Sequence, residues 1–455
     1  MRPPRSATAV KWVVWLCVAL SGWPAEDLLA DTPTPGNASG WTAAVQRPTY
    51  WAHDFVDSVG TVIHLLHPDS FYGSQFEVMK QKLLAAHIMH VRDGAMDAHG
   101  GFFNGDQATR FQELGRAGIR VTFITRLNVS REFVQGFPAR VSPAFEAYEL
   151  PNELNIAHGV PWPTTIQVWM PIFYHYVKDN PATAAYPILG PSIADMGNDP
   201  YAELGSQEQY LDYGNLHKYY RNYNPGTGGY SSVAQPPCDP LRYGSLNYEL
   251  CHLARVSGTK PIICTESGYG TDVPAGKQVT PDVQAKYIAR LLLMHWLAGV
   301  RRTFIYQLAD YGTDGFGAFG LLTADGTEKP AYVELSALMS ELNDTAQANP
   351  PTDLTLAVTG DFQGVATVLF QKSDGSYRLI LWLEKPGWDP RSNMAIAVRD
   401  QNVSLSLPPP YRVRRLLKFG DTGAATAQSL VPGGASLGLA VGDNLTIVDF
   451  ARNGS

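Results

Sequence analysis

The chain has little charge, few cysteines and no apolar run long enough to cross a bilayer, and each shortage removes a class of protein. Charged residues are only 17% of 455, the net charge is -7 and no Lys/Arg-rich run occurs, so a phosphate backbone would find no electrostatic footprint. This argues against nucleic acid as a partner. The run from Trp12 to Leu20 is shorter than the ~20 residues that a membrane-spanning helix needs. With Arg2, Arg5 and Lys11 ahead of it and a polar segment from Glu26, it has the pattern of a signal peptide, here assigned to residues 1–30, with an uncleaved anchor as the alternative. Removal of the leader gives a secreted or periplasmic protein with no stable membrane insertion. There is no Gly-x-Ser-x-Gly elbow, no His-Glu-x-x-His helix and no Walker phosphate loop. Nothing in the sequence calls for a cofactor or a metal.

Loss of the leader takes Cys17 with it and leaves three cysteines. Cys238 and Cys251 lie in a polar, Pro-containing stretch and suit a disulfide in an oxidising compartment, whereas Cys264 sits inside an apolar run and reads as a buried small hydrophobe. Hydrophobic residues make up 45% of the chain, enough for a large core.

Beyond a Pro/Gly/Thr-rich segment, apolar β-like runs alternate with amphipathic helical ones. Eight strands are predicted: 56–65, 88–93, 119–125, 144–153, 187–191, 213–219, 261–266 and 303–307. Between them, helices such as 107–117 and 282–297 end at Gly118 and Gly299. The total span is close to the ~250 residues of a (β/α)₈ barrel. After a last helix at 330–342 and the linker Asn349-Pro350-Pro351, the period becomes alternating, with Asp374-Gly375 as a hairpin turn. The fold class is therefore α/β: a (β/α)₈ TIM barrel over residues 46–345, followed by an antiparallel β-sandwich over 352–455.

Glu153 and Glu266 end the fourth and seventh predicted strands, and in a closed parallel ring all C-terminal strand ends open onto one face. A facing pair of carboxylates is the equipment for cleaving a glycosidic bond. Burial gives neither acid a reason to stand at the end of an apolar run, where charge is tolerated only if partners hold it.

Asn152-Glu153 on the fourth strand and Glu266 on the seventh resemble the acid/base and nucleophile of the clan A retaining glycoside hydrolases. Arg92 ending the second strand, His217-x-Tyr219 ending the sixth and the C-terminal sandwich agree, and in detail the chain looks most like family 39. The resemblance implies that Glu153 is the acid/base and Glu266 the nucleophile. It further implies that Arg92 and Tyr219 keep Glu266 ionised, Asn152 donates to the sugar 2-hydroxyl, and His217 fixes the acid/base or a substrate hydroxyl. A carbohydrate is then the partner. Leu154 departs from the clan, where Pro is frequent, and the eighth strand offers Tyr306, or Tyr311 beyond it, where the clan often has Trp.

His64 near the end of the first strand is a candidate substrate contact, and without a third ligand the pair His64/His67 does not read as a metal site. Trp162, Phe103, Tyr230 and Phe316 are candidate sugar-stacking platforms on active-face loops. Blander readings stay open: Glu153 as a helix-start carboxylate, Arg92 paired with Asp93, and His217 and Tyr219 as satisfied core residues. A non-catalytic carbohydrate-binding protein on a degenerate barrel, or a transglycosidase using the same residues, is the alternative function.

Overall fold

A computed structural model of the chain describes residues 42–95, 105–157, 161–195, 199–230, 238, 240–271, 278–311, 317–429 and 436–453. The predicted leader, Phe103 and Phe316 lie outside the described residues. Eight parallel strands make the central sheet: β1 (Val59–Val62), β2 (His90–Gly94), β3 (Arg120–Ile124), β4 (Phe145–Glu149), β5 (Ile188–Leu189), β6 (Gly214–His217), β7 (Ile262–Ser267) and β8 (Arg302–Ile305). They pair in the order β5-β4-β3-β2-β1-β8-β7-β6. A single parallel bridge between Leu189 and Tyr213 joins β5 to β6 and closes the ring.

The strands are buried on both faces, as parallel strands covered by helices must be. Helices around them start on local signals. Pro281 and Pro330 occupy the first turns of Pro281–Leu297 and Pro330–Leu342, where a missing N–H costs nothing, and the Ser245 hydroxyl caps Leu246–Ser257 by accepting from Tyr248 N at 3.2 Å.

Inside the ring, Val62, Ala147, Leu189, Ile263 and Phe304 form an apolar floor. Two residues further along the same strands the period of two brings His64, Glu149, Thr265 and Tyr306 to the same side. An apolar layer thus carries a polar and aromatic one above it, towards the C-terminal face.

The first and fourth predicted strands differ from their sequence pattern for identifiable reasons. The first begins only at Val59, because Val56 belongs to the short helix Ala52–Asp57. The fourth stops at Glu149; Pro151 lacks the N–H a ladder needs, and Glu153 adopts a left-handed backbone (φ 44°) that no strand contains.

The C-terminal region is two antiparallel-rich sheets over a core that includes Leu356, Leu369, Leu379, Leu405, Val448 and Phe450. Segments ahead of the barrel complete both: Thr42–Arg47 pairs antiparallel with Leu354–Gly360, and Thr49–Trp51 pairs parallel with Val365–Gln371. The sequence pattern, which starts the barrel at residue 46, did not assign these strands to the sandwich. Cys238 and Cys251 form a disulfide, and Cys264 is free and buried. Among the described residues no helix is long and apolar enough to cross a membrane.

Candidate active site

The site grows from a buried arginine. Arg92 on β2 is 1% exposed, and its guanidinium would be untenable there without counter-charges. Glu149 of β4 accepts from Arg92 Nε and Nη2 at 2.6 and 2.7 Å in a two-point fork, while Nη1 donates to Glu266 Oε1 at 2.6 Å. Burial opposes the charged form of Arg92, but the two carboxylates outweigh it and its pKa is raised. Asp93, by contrast, takes backbone N–H groups from Leu65 and Gly94, and burial pushes its carboxyl up to about 7. The close Arg92 pairing is therefore with Glu149 and Glu266.

Glu149 also accepts from Asn215 Nδ2 at 3.0 Å and has Thr265 Oγ1 3.2 Å away, so the deepest acid is surrounded by polar partners from below the cleft. Arg92 Nη2 reaches Asn152 Oδ1 at 2.6 Å. With its oxygen taken, the Asn152 amide has its nitrogen left for another partner.

Glu266 points inward because β7 is irregular. Against β6 the register shifts between Leu216–Cys264 and His217–Glu266, and against β8 it shifts again over the same stretch. A bulge of this kind re-aims a side chain, and here it lets Thr265 and Glu266, adjacent in sequence, both serve the interior. Gly268 permits the tight exit that follows, since a Cβ there would stand 2.4 Å from Tyr306 O.

The second Glu266 oxygen accepts from Tyr219 Oη at 2.8 Å. Burial pushes the Glu266 carboxyl up, but the charge of His217, the guanidinium of Arg92 and the Tyr219 hydrogen bond outweigh it, and the net shift is downward. Burial drives the Tyr219 phenol well above its usual range, so it stays protonated as a donor.

Glu153 is held differently. Its N–H donates to Ser192 O and Oγ, each at 3.2 Å, which fixes the left-handed turn just beyond β4. Strained backbone of this kind persists where surroundings over-determine it and clusters at functional sites. One carboxylate oxygen lies 2.8 Å from His217 Nδ1, which is also 3.7 Å from Glu266 Oε2. Burial pushes the His217 imidazole down, but the charge of Glu266 and the bond to Glu153 more than compensate, leaving it raised.

Glu153, His217 and Glu266 each bring one atom within 4.8 Å of the others. Such a triangle has the donor set for a cation, yet both Glu266 oxygens already accept a hydrogen bond and the Arg92 charge stands beside them. Within the triangle, one carboxylate oxygen of Glu153 lies no more than 4.8 Å from one of Glu266.

Around this network stands an aromatic wall. Tyr306 meets Tyr219, Phe319 and His64 edge-on, with ring centroids 6.4, 6.0 and 5.8 Å apart, and Tyr311 stacks on His64 at 5.4 Å. Burial pushes His64 down to about 4, so it is neutral near pH 7.

Of the residues nominated from sequence, Arg92, Asn152, Glu153, His217, Tyr219 and Glu266 share one hydrogen-bonded network, with His64 and Tyr306 on its wall. Trp162 instead opens the helix Trp162–Lys178 and packs against the core. Tyr230 stacks on Tyr223 at 5.0 Å under the guanidinium of Arg221, a packing role. The Cys264 thiol, pushed up to about 12 by burial, is no nucleophile. Asn215, Thr265 and Ser192 were not nominated. A signal for Asn215 exists in Asn215-x-His217-x-Tyr219, polar groups at the period of two in a buried strand.

Neither a family model nor a curated protein sequence matches the chain. Solved structures do match. A family 39 glycoside hydrolase from Bacteroides cellulosilyticus WH2 aligns with a TM-score of 0.56 at 14% identity, over 90% of this chain and 83% of that one. The GH51 arabinofuranosidase from Xanthomonas axonopodis pv. citri aligns with a TM-score of 0.55 at 12% identity, over 90% of this chain and 100% of that one. The chain has the fold of these clan A glycoside hydrolases. The likeness extends through the sandwich, since both alignments cover nine-tenths of the chain.

Proposed function

We propose that the chain is a secreted retaining glycoside hydrolase that cleaves O-glycosidic bonds in a polysaccharide or glycoconjugate by double displacement. The observation that carries this reading is that one oxygen of Glu153 and one of Glu266 lie within 4.8 Å, which suits the ~5–5.5 Å carboxylate pairs of retaining enzymes better than the ~6.5–9.5 Å pairs of inverting ones, together with the downward shift of Glu266. In the first step Glu266 attacks the anomeric carbon as the C–O bond to the leaving group breaks, and Glu153 passes its proton to the leaving oxygen. In the second, Glu153 takes a proton from water, whose oxygen attacks the anomeric carbon and frees Glu266.

His217 fits as the keeper of the acid's proton. Thr265 Oγ1 donates to Asn215 Oδ1 at 2.6 Å or to Glu149, so its contact with His217 Nε2, at 3.0 Å, requires the hydrogen to sit on the imidazole. The 2.8 Å contact on Nδ1 then holds one proton shared with Glu153. Asn152, its oxygen bound by Arg92, turns its amide nitrogen to the sugar 2-hydroxyl, a bond that strengthens in an oxocarbenium-like transition state. The leader and the disulfide Cys238–Cys251 support an extracytoplasmic location.

The test is hydrolysis of a panel of aryl glycosides and polysaccharides by wild type, Glu153→Ala and Glu266→Ala. Both variants should lose turnover on any substrate the wild type cleaves. Wild-type rates in both would end the assignment.

A further inference from the structure

We infer that the β-sandwich is a working part of the proposed active site, with Glu384 acting as a positioning residue for the loop that carries Tyr219 to Glu266. The kinetic part of the inference rests on the glycosidase reading; the structural part rests on geometry alone. Glu384 follows the sandwich strand Tyr377–Leu383, and its side chain is 13% exposed.

Its carboxylate gathers donors from three places. From the barrel helix Pro281–Leu297, Arg290 donates through Nε and Nη2 at 2.9 and 2.6 Å; from the sandwich itself, Trp382 Nε1 donates at 2.8 Å. The loop after β6 adds Asn224 Nδ2 at 2.6 Å and the Gly226 N–H at 3.1 Å. The ion pair alone would fasten the two domains. The bonds from Asn224 and Gly226 do something else: they tie the far end of a loop whose near end is Tyr219.

Between those ends the loop is held by barrel groups, with Tyr220 Oη and His295 Nε2 3.0 Å apart and Tyr223 O accepting from Tyr269 Oη at 2.9 Å. Gly226 shows how closely the loop is drawn in. A Cβ at that position would stand 2.4 Å from Cγ of Glu384, so the approach is open to glycine alone without a shift.

Asn224→Ala separates this role from the glue between domains, because it leaves Glu384 and Arg290 in place, whereas Gly226→Ala keeps the counter-charge of Arg290 but also drives a Cβ against Glu384. Glu384→Gln removes that charge as well and is the secondary variant. Asp443→Asn is the control, since Asp443 takes Lys286 Nζ at 3.1 Å at the same junction without touching the loop. Hydrogen exchange over 219–230, melting temperature, kcat, KM and the pH profile of kcat/KM are measured on each full-length chain.

The loop variants should speed exchange at the loop amides roughly tenfold or more while the rest of the chain keeps its protection. They should lower kcat roughly tenfold at constant KM, and the acidic limb should move to higher pH as Tyr219 loosens from Glu266. Asp443→Asn should do none of these. Unchanged loop exchange in both loop variants overturns the inference whatever the activity, and faster exchange with unaltered kcat and pH limb overturns its kinetic part. A wild-type chain inert on every glycoside defeats the glycosidase reading instead, and the exchange data then still decide whether Glu384 holds the loop.

Discussion

Replacing Tyr219 by phenylalanine removes one hydrogen bond and little else. The ring contacts to Phe319 and Tyr306, at 5.8 and 6.4 Å, survive, while the 2.8 Å bond to Glu266 Oε2 is lost. A hydrogen bond to a charged group contributes about 1.5–3 kcal/mol. At about 1.36 kcal/mol per pKa unit, the Glu266 carboxyl should rise by roughly one to two units. The sign follows from which form works. Glu266 is held low by the charge of His217, Arg92 and the Tyr219 bond, acts as the ionised nucleophile, and loses activity as pH falls through its pKa. In Tyr219→Phe that loss should come at higher pH, so the acidic limb of kcat/KM moves up by the same roughly one to two units, with the alkaline limb unmoved. The assay is the pH profile of kcat/KM on an aryl glycoside for wild type and variant, with melting temperatures to exclude unfolding. A variant slowed equally at every pH, its acidic limb in place, would refute the assignment of Tyr219 as the support of an ionised Glu266.

Glu334 is buried with both oxygens unpartnered, and burial pushes its carboxyl up to about 8 against the pull of Lys286 and Arg290. Its raised value means that its favourable contribution is complete below the unfolded carboxyl pKa and is lost as pH rises through about 8; Glu334→Gln should therefore melt higher than wild type above that pH, an advantage that vanishes in acid. Cys238 and Cys251 close a loop of sequence separation 13, so Cys251→Ser should cost about 3 kcal/mol in denaturant unfolding; unaltered stability would show that the bridge constrains little. Phe304, fully buried in the barrel floor, should cost about 3–5 kcal/mol as Phe304→Ala, and a loss under 1 kcal/mol would mean that the floor collapses around the gap.

The barrel was legible because its signals are local. Each predicted strand overlaps an observed one, and the helix 330–342 begins and ends where Pro330 and Leu342 do. Boundaries failed where one pattern suits two structures: the apolar run from Val56 reads as strand, but its first residues turn as helix. In the site, the acids stood out because charge is costly at the end of an apolar strand. The hold of Glu149 on Arg92, across β4 and β2, joins residues 57 apart and leaves no periodic trace. The bulge that turns Glu266 inward was equally invisible, since it depends on register with both neighbouring strands. Least legible was Glu384, whose barrel partners come from a loop and a helix about a hundred or more residues earlier in the chain.

The role of Glu266 as the group that bonds to the sugar is tested most directly by trapping. A fluorosugar with an activated leaving group, built on whichever glycoside the panel identifies, should add one glycosyl mass to the peptide containing Glu266, and none in Glu266→Gln. Turnover of the parent glycoside with an inverted first product and no adduct, or an adduct on any other residue, would contradict it.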